Sequence, residues 1–385
     1  MSQNHFDLRL QKYGFFHYSQ PFLCIFFKTQ RISLIFNLKK YRYYNRFSSY
    51  LCGTQTKTTM TEKKILGIGS ALVDILTQIP DEQLLSELNL PKGSMTYVDA
   101  ETSVSVGERL SRYGSQKAAG GSAANTMSGL AKLGIKTGFL SKIGKDEIGR
   151  FFAKEMTDSS VNPLLLECDT PSGRVQAIVT PDGERTFATC LGAAAEMRPA
   201  DIRPELFEGW DILYVEGYLV ANPSMLRKAL ATAKAQGMKI AIDMASYNVV
   251  EENRDFLLDI VENYIDIVFA NKQEAHAFTG MEPEAALHFL AKHCDIAVVK
   301  VGSKGALIQH GDHVVNIGPM EANVVDTTGA GDMWAAGFLA GLVKGEKLGK
   351  CGMMGAILAK NIIEVIGAKM DETRWSRIYD SMAKL

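Results

Sequence analysis

Short apolar runs recur along most of this chain with helix-length stretches between them, and that alternation limits the fold more than any other feature. Lys64–Ser70, Thr137–Ile143, Ile212–Glu216, Lys239–Asp243, Ile265–Ala270 and Ile296–Val301 read as buried strands. Ser122–Leu133, Pro223–Gln236, Val249–Tyr264 and Pro283–His293 space their apolar residues by three and four, as helices do. Strands alternating with helices of this length build βαβ units and a mostly parallel sheet. Two regions break the rhythm. Residues 75–118 and 164–192 carry the β-like pieces Ser94–Val98, Gly173–Thr180 and Thr186–Leu191, the last two joined by a Pro181-Asp182-Gly183 turn. Paired together, such insertions form a small sheet over one edge of the main domain, and we expect it to act as a lid. Ala330–Val343 and Gly349–Ile366 are apolar and rich in Gly and Ala, which predicts close helix packing. Met370–Leu385 closes the chain as an amphipathic helix with Trp375, Ile378 and Met382.

Composition narrows the class. With 46% hydrophobic and 22% charged residues, the 385-residue chain can bury a large core as one α/β domain with an elaboration, and it is not of disordered composition. The formal charge of −1 shows no balance suited to nucleic acid, but it hides a split. Residues 1–59 hold nine basic side chains and one acid, 14 of the 34 aromatics, and no Ala, Val or Glu. That leader reads either as an acid-poor basic targeting peptide or as sequence upstream of a true start at Met60, and the second reading is preferred. The remainder, 60–385, is treated as the folded domain. Cys24, Cys52, Cys168, Cys190, Cys294 and Cys351 form no CxxC pair, which excludes a zinc ribbon or disulfide scaffold and suits a reducing cytoplasm. No apolar run reaches membrane-spanning length, so no membrane partner is expected.

The chemistry concentrates in two glycine motifs. Asp326-Thr327-Thr328-Gly329-Ala330-Gly331-Asp332 precedes an apolar helix. Gly329 and Gly331 let the loop amides point outward, and the helix start adds its positive dipole end, making an anion site. A carboxylate at its mouth, Asp332, would repel a phosphate unless it served another purpose. Taking the proton from a hydroxyl that attacks phosphorus is such a purpose. The alternative is an ordinary first-turn acid. Gly120-Gly121-Ser122-Ala123-Ala124-Asn125 opens a second helix, where the glycines admit a ligand and the Asn125 amide suits sugar hydroxyls. Alone, that motif also describes a plain glycine turn.

The pair of motifs, 206 residues apart in one α/β chain, resembles the ribokinase-like (phosphofructokinase-B) family of carbohydrate and nucleoside kinases. Gly67–Asp74 resembles the family's first strand, Asn271-Lys272-Gln273-Glu274 its N-x-x-E motif, and Lys300–Gly305 its nucleotide-binding strand and turn. The resemblance spans essentially Met60–Leu385. It implies a three-layer α/β/α domain with a β lid, moving the γ-phosphoryl group of ATP to a hydroxymethyl group. It makes Asp332 the base and assigns the developing phosphate charge to the Gly329, Ala330 and Gly331 amides. Substrate hydroxyls fall to Asp74, Gly120, Gly121 and Asn125, and the nucleotide to Asn271, Gly302, Lys304 and Gly305. Glu274 would hold Mg2+ through water, and Asp326 and Thr328 match residues that bind K+ in some members. Many members carry Thr where Lys300 stands, which puts that side chain's nucleotide contact in question.

Other readings stay beside these. Asp74 also fits the cap of a turn, and N-x-x-E also fits a capping box. Gly67-Ile68-Gly69 hints at a dinucleotide fingerprint, but Leu72 stands where the third glycine belongs. The seven histidines show no metal spacing. Arg174 and Arg185 are expected at the surface of the lid hairpin, and Glu216 reads equally as a cleft or a packing residue. Asp74 with Leu90–Asp99 leans toward the adenosine-kinase-like branch; ribose, fructose or ketodeoxygluconate acceptors, a vitamin-precursor kinase and a non-catalytic relative are the competing functions. Monomer and lid-paired homodimer fit equally.

Overall fold

The structure is a computed structural model and describes residues 62–385; the expectations about the leader lie outside the described residues. In chain order the strands are β1 (Lys64–Ile68), β2 (Leu72–Gln78), β3 (Met95–Tyr97), β4 (Ser115–Gly120), β5 (Lys136–Gly144), β6 (Val161–Cys168) and β7 (Gly173–Val179). There follow β8 (Arg185–Cys190), β9 (Ile212–Glu216), β10 (Lys239–Asp243), β11 (Ile267–Asn271), β12 (Ile296–Lys300), β13 (Ala306–His310) and β14 (His313–Ile317). They form a large sheet in the order β14-β13-β12-β11-β10-β9-β1-β5-β6 and a small one in the order β3-β8-β7-β2-β4.

From β12 to β6 all neighbours in the large sheet run parallel, while β13 and β14 extend it as an antiparallel hairpin. Successive residues of a strand point to opposite faces, and the core divides accordingly. Ile65, Phe139, Tyr214, Phe269 and Val298 face the helices Ser122–Lys132, Ala330–Val343 and Leu348–Ile362. Leu66, Leu140, Leu213, Ile240 and Val268 face Pro223–Ala235, Arg254–Asn263 and Pro283–Leu290. Helices on both faces of a parallel sheet give the three-layer α/β/α architecture that the sequence implied.

Four details differ from the expected elements. Val161–Cys168 joins the large sheet beside β5, so the small sheet draws only on the later part of 164–192. Residues 72–78, partly read as the tail of the first strand, cross at Gly69-Ser70-Ala71 and pair in the small sheet with β4 and β7. Val249–Tyr264 is two helices, Tyr247–Glu252 and Arg254–Asn263. The break is at Asn253, whose side chain donates to Val249 O at 2.9 Å and competes with the helical ladder. The β13–β14 hairpin had no counterpart in the sequence reading.

One contact fixes the site helix. Where Ala330–Val343 meets Leu348–Ile362, a Cβ on Gly337 would stand 2.6 Å from the Met354 carbonyl carbon, and one on Gly355 2.7 Å from Trp334 O. Only glycine lets the two backbones approach so closely. On the other side, Trp334 stacks on Phe338 at 5.4 Å and meets Phe269 of β11 edge-on at 6.1 Å.

Candidate active site

Four neighbouring strands of the large sheet close on polar residues: β9 on Glu216, β10 on Asp243, β11 on Asn271 and β12 on Lys300. Strand register sets Glu216 opposite Asp243 and Asn271 opposite Lys300. The row lies outside the carboxyl ends of parallel strands, where open α/β sheets bind their ligands.

The two glycine motifs converge on it. Asp332, in the first turn of Ala330–Val343, accepts from Ser122 Oγ at 2.7 Å and from Asn125 Nδ2 at 2.9 Å. Asn125, expected to grip substrate, thus donates first to the carboxylate that was expected to act as base. Burial pushes the Asp332 carboxyl up to about 6; the Ser122 and Asn125 hydrogen bonds pull against that, Asp243 adds to it and Lys300 opposes it. A carboxylate in this state takes up a proton readily near neutral pH.

Gly120 and Gly121 are required by what surrounds them. A Cβ on Gly120 would overlap the Asp74 carboxylate, and Gly121, at φ +95°, has Ser70 O where a Cβ would go. Asp74 therefore lies against the glycine turn, at the seam between the sheets. Burial raises its pKa to about 6, offset by Lys369 and reinforced by Asp332. Glu216 resolves as a brace: buried, it accepts from Ser70 N at 3.3 Å and Ala123 N at 3.1 Å, tying β9 to the β1–β2 crossing and the Ser122–Lys132 helix. Burial lifts its carboxyl to about 7 despite those donors.

Asn271 and Glu274 do form a capping box. Glu274 accepts from Asn271 N at 2.7 Å, and Asn271 Oδ1 accepts from Glu274 N at 3.0 Å. Burial, then Asp243, raises the Glu274 carboxyl to about 7, with Lys300 opposing the shift. Three acids, Asp243, Glu274 and Asp332, surround the single Lys300 ammonium. Among the described residues no three acids, histidines or cysteines stand close enough together to hold a metal ion directly. Gly302–Lys304 is an exposed turn after β12, with Gly302 at φ +61° and Gly305 at φ +100°.

The Asp326 surroundings differ from the sequence expectation. Its Oδ1 accepts from Thr328 N at 3.1 Å and Thr328 Oγ1 at 2.8 Å, while its Oδ2 accepts from Gly367 N and Arg185 NH1, each at 2.6 Å. Arg185, expected at the lid surface, is 17% exposed and pairs with a carboxylate 12% exposed. A cation already stands at this carboxylate, and all four bonds come from protein donors, so the side chain is poorly disposed to take K+. Sequence reasoning also missed Ser122 and Asp243.

Comparison with known proteins identifies the group. The family model for pfkB family carbohydrate kinases matches residues 97–374. The chain belongs to the pfkB family of carbohydrate kinases. An adenosine kinase structure from Sinorhizobium meliloti superposes with a TM-score of 0.73 at 33% identity, covering 83% of this chain and all of that one. Adenosine kinase of Saccharomyces cerevisiae is 26% identical, covering 78% of this chain and 94% of its own length. A 5-dehydro-2-deoxygluconokinase from Bacillus licheniformis is 29% identical over 60% of this chain and 76% of its own. As a pfkB kinase, the chain is a phosphotransferase with an alcohol group as acceptor and ATP as donor. Among the described residues no helix is long and apolar enough to cross a membrane.

Proposed function

We propose that this kinase phosphorylates the hydroxymethyl group of a ribonucleoside of the adenosine type, with Asp332 as general base. The observation that carries the reading is the Asp332 carboxylate, held by Ser122 and Asn125 at the opening of the Gly329–Gly331 loop.

In this reading Asp74 and the Gly120-Gly121 turn bind the ribose hydroxyls. The acceptor O–H gives its proton to Asp332 as its oxygen forms the bond to the γ-phosphorus. The bond from that phosphorus to the bridging oxygen breaks, and ADP leaves with the electron pair. The Gly329 and Gly331 amides face the charge on the transferred group, while the Ala330 amide closes the loop on Thr327 O at 3.2 Å and holds it in shape. Asn271 and Glu274, near Asp243, would hold hydrated Mg2+, which when bound screens the phosphate charges. Gly302–Gly305 would face the nucleotide, with Lys304 exposed at its edge. The expected K+ at Asp326 and Thr328 is left out, because Arg185 already supplies a cation there.

Preference for a nucleoside over a plain sugar is supported by the small sheet. Tyr97 of β3 stays 58% exposed. It lies near enough to Glu216 and Tyr218 for their charges to act on one another. An exposed aromatic at the seam of the two sheets suits a flat base, and the small sheet then serves as the lid that excludes water. ADP release with Mg-ATP and a panel of adenosine, other nucleosides, ribose, fructose and 5-dehydro-2-deoxygluconate tests this. Adenosine is expected to give the highest kcat/KM; turnover of a free sugar with none of nucleosides would overturn the acceptor assignment.

A further inference from the structure

Lys300 is the residue the family pattern left unexplained, and its surroundings give it a task. Its Nζ donates to Asp243 Oδ2 at 2.8 Å, with the two side chains 14% and 9% exposed. An ammonium has three donors; among the described residues this is the hydrogen bond it makes. The same Nζ lies 3.1 Å from where a Cβ on Gly331 would be. Gly331 therefore clears the line between the ammonium and the anion loop. Asp332 follows in the next position, and Lys300 is one of the charges that act on it.

We propose that Lys300 is a catalytic residue of the phosphoryl transfer: anchored by Asp243, its ammonium contacts the migrating phosphoryl group at the Gly329–Gly331 loop. The proposal rests on the phosphotransferase reading above. Lys300 keeps its protons throughout, while the acceptor proton goes to Asp332. Its contribution is a fixed positive charge where negative charge spreads over the equatorial oxygens, inside a partly dry cleft where such a charge acts strongly. Burial alone would lower the pKa of this amine, but Asp243, Glu274 and Asp332 together raise it, so it stays charged. Asp243 has a matching role as positioning residue. It sits two strands over, across β11, and its other oxygen is fixed by Ala245 N at 3.1 Å.

A purely structural account would make Lys300 the neutraliser of a buried Asp243, and the two accounts separate experimentally. Steady-state kinetics with Mg-ATP are compared for the wild type, Lys300→Met, Asp243→Asn and the double variant, with melting temperature and its rise on adding ATP measured alongside. Removing one preorganised charge donor is expected to lower kcat about 10²–10³-fold with a much smaller change in KM. In the double variant the Asp243 charge is removed together with its partner, so folding is expected to suffer less than in Lys300→Met, yet kcat is expected to remain as low. Recovery of the double variant to the level of Asp243→Asn would overturn the catalytic role and leave neutralisation. An active wild type with an equally active Lys300→Met variant overturns this proposal alone. A wild type that transfers phosphate to no alcohol takes down the kinase reading and this proposal with it.

Discussion

The molecule contains two helix starts opened by glycine, and they do different work. At Gly121, φ +95°, the chain enters Ser122–Lys132, and the Ala123 amide is given to the Glu216 carboxylate. At Gly329, φ +75°, the chain enters Ala330–Val343, and no carboxylate accepts from the first-turn amides among the described hydrogen bonds. Its own acid, Asp332, is turned across to Ser122 and Asn125 instead. Both starts have the same dipole and the same orphan donors. Where the protein supplies the anion, the start becomes a brace; where it does not, the proposed reading makes the start a receptacle for one.

The comparison can be broken in several places. The largest effect is expected from Asp332→Asn, which should lower kcat by about 10²–10⁴-fold while ATP still raises the melting temperature. A drop in ATP affinity of the same size would mean that Asp332 belongs to the receptacle and not to the chemistry. In the wild type, kcat/KM should rise as pH increases through about 6, because the raised Asp332 carboxyl must lose its proton before it can accept another. A rate flat from pH 5 to 8 would remove Asp332 as base. Next comes Gly121→Ala, which places a Cβ on Ser70 O at positive φ and should cost about 2 kcal/mol or more of stability by denaturant unfolding. Glu216→Gln turns a donor toward one of two buried amides and should cost about 1–3 kcal/mol. A stable Gln variant would show that the first helix start needs no protein anion, and the contrast with the second would weaken. The smallest effect is expected from replacing K+ by a bulky organic cation, which should leave the wild-type rate unchanged. Arg185→Ala should then acquire a dependence on K+, since Asp326 loses its resident cation.

What the sequence offered followed from how local each signal was. Asp326–Asp332 and Gly120–Asn125 announce themselves because each is a contiguous turn feeding a helix. The large-sheet strands were visible for the same reason, with apolar runs bounded by helices. Their partners were not visible. Ser122 lies 210 residues from Asp332, Arg185 141 from Asp326 and Lys300 57 from Asp243. No window spans such distances. One signal was available and not used: β9, β10, β11 and β12 each run apolar and then end on Glu, Asp, Asn or Lys. Parallel strands ending together place those residues in one row. The small sheet was harder to read, since β2 begins four positions after β1 ends and its change of sheet shows only in the pairing.

The glycine-to-backbone contact between Ala330–Val343 and Leu348–Ile362 has a consequence for inheritance. The phosphate end of this site is specified by main chain against main chain, at Gly337, Gly341 and Gly355, where almost any exchange removes the fold along with the function. In the reading proposed above, the acceptor end falls to side chains such as Asp74 and Tyr97, on a sheet with its own small core of Leu84, Leu85, Val106 and Ile178. Exchanges there are expected to leave the helix pair at the other end in place. On that reading, a chain built this way can be altered in what it phosphorylates without rebuilding how it does so.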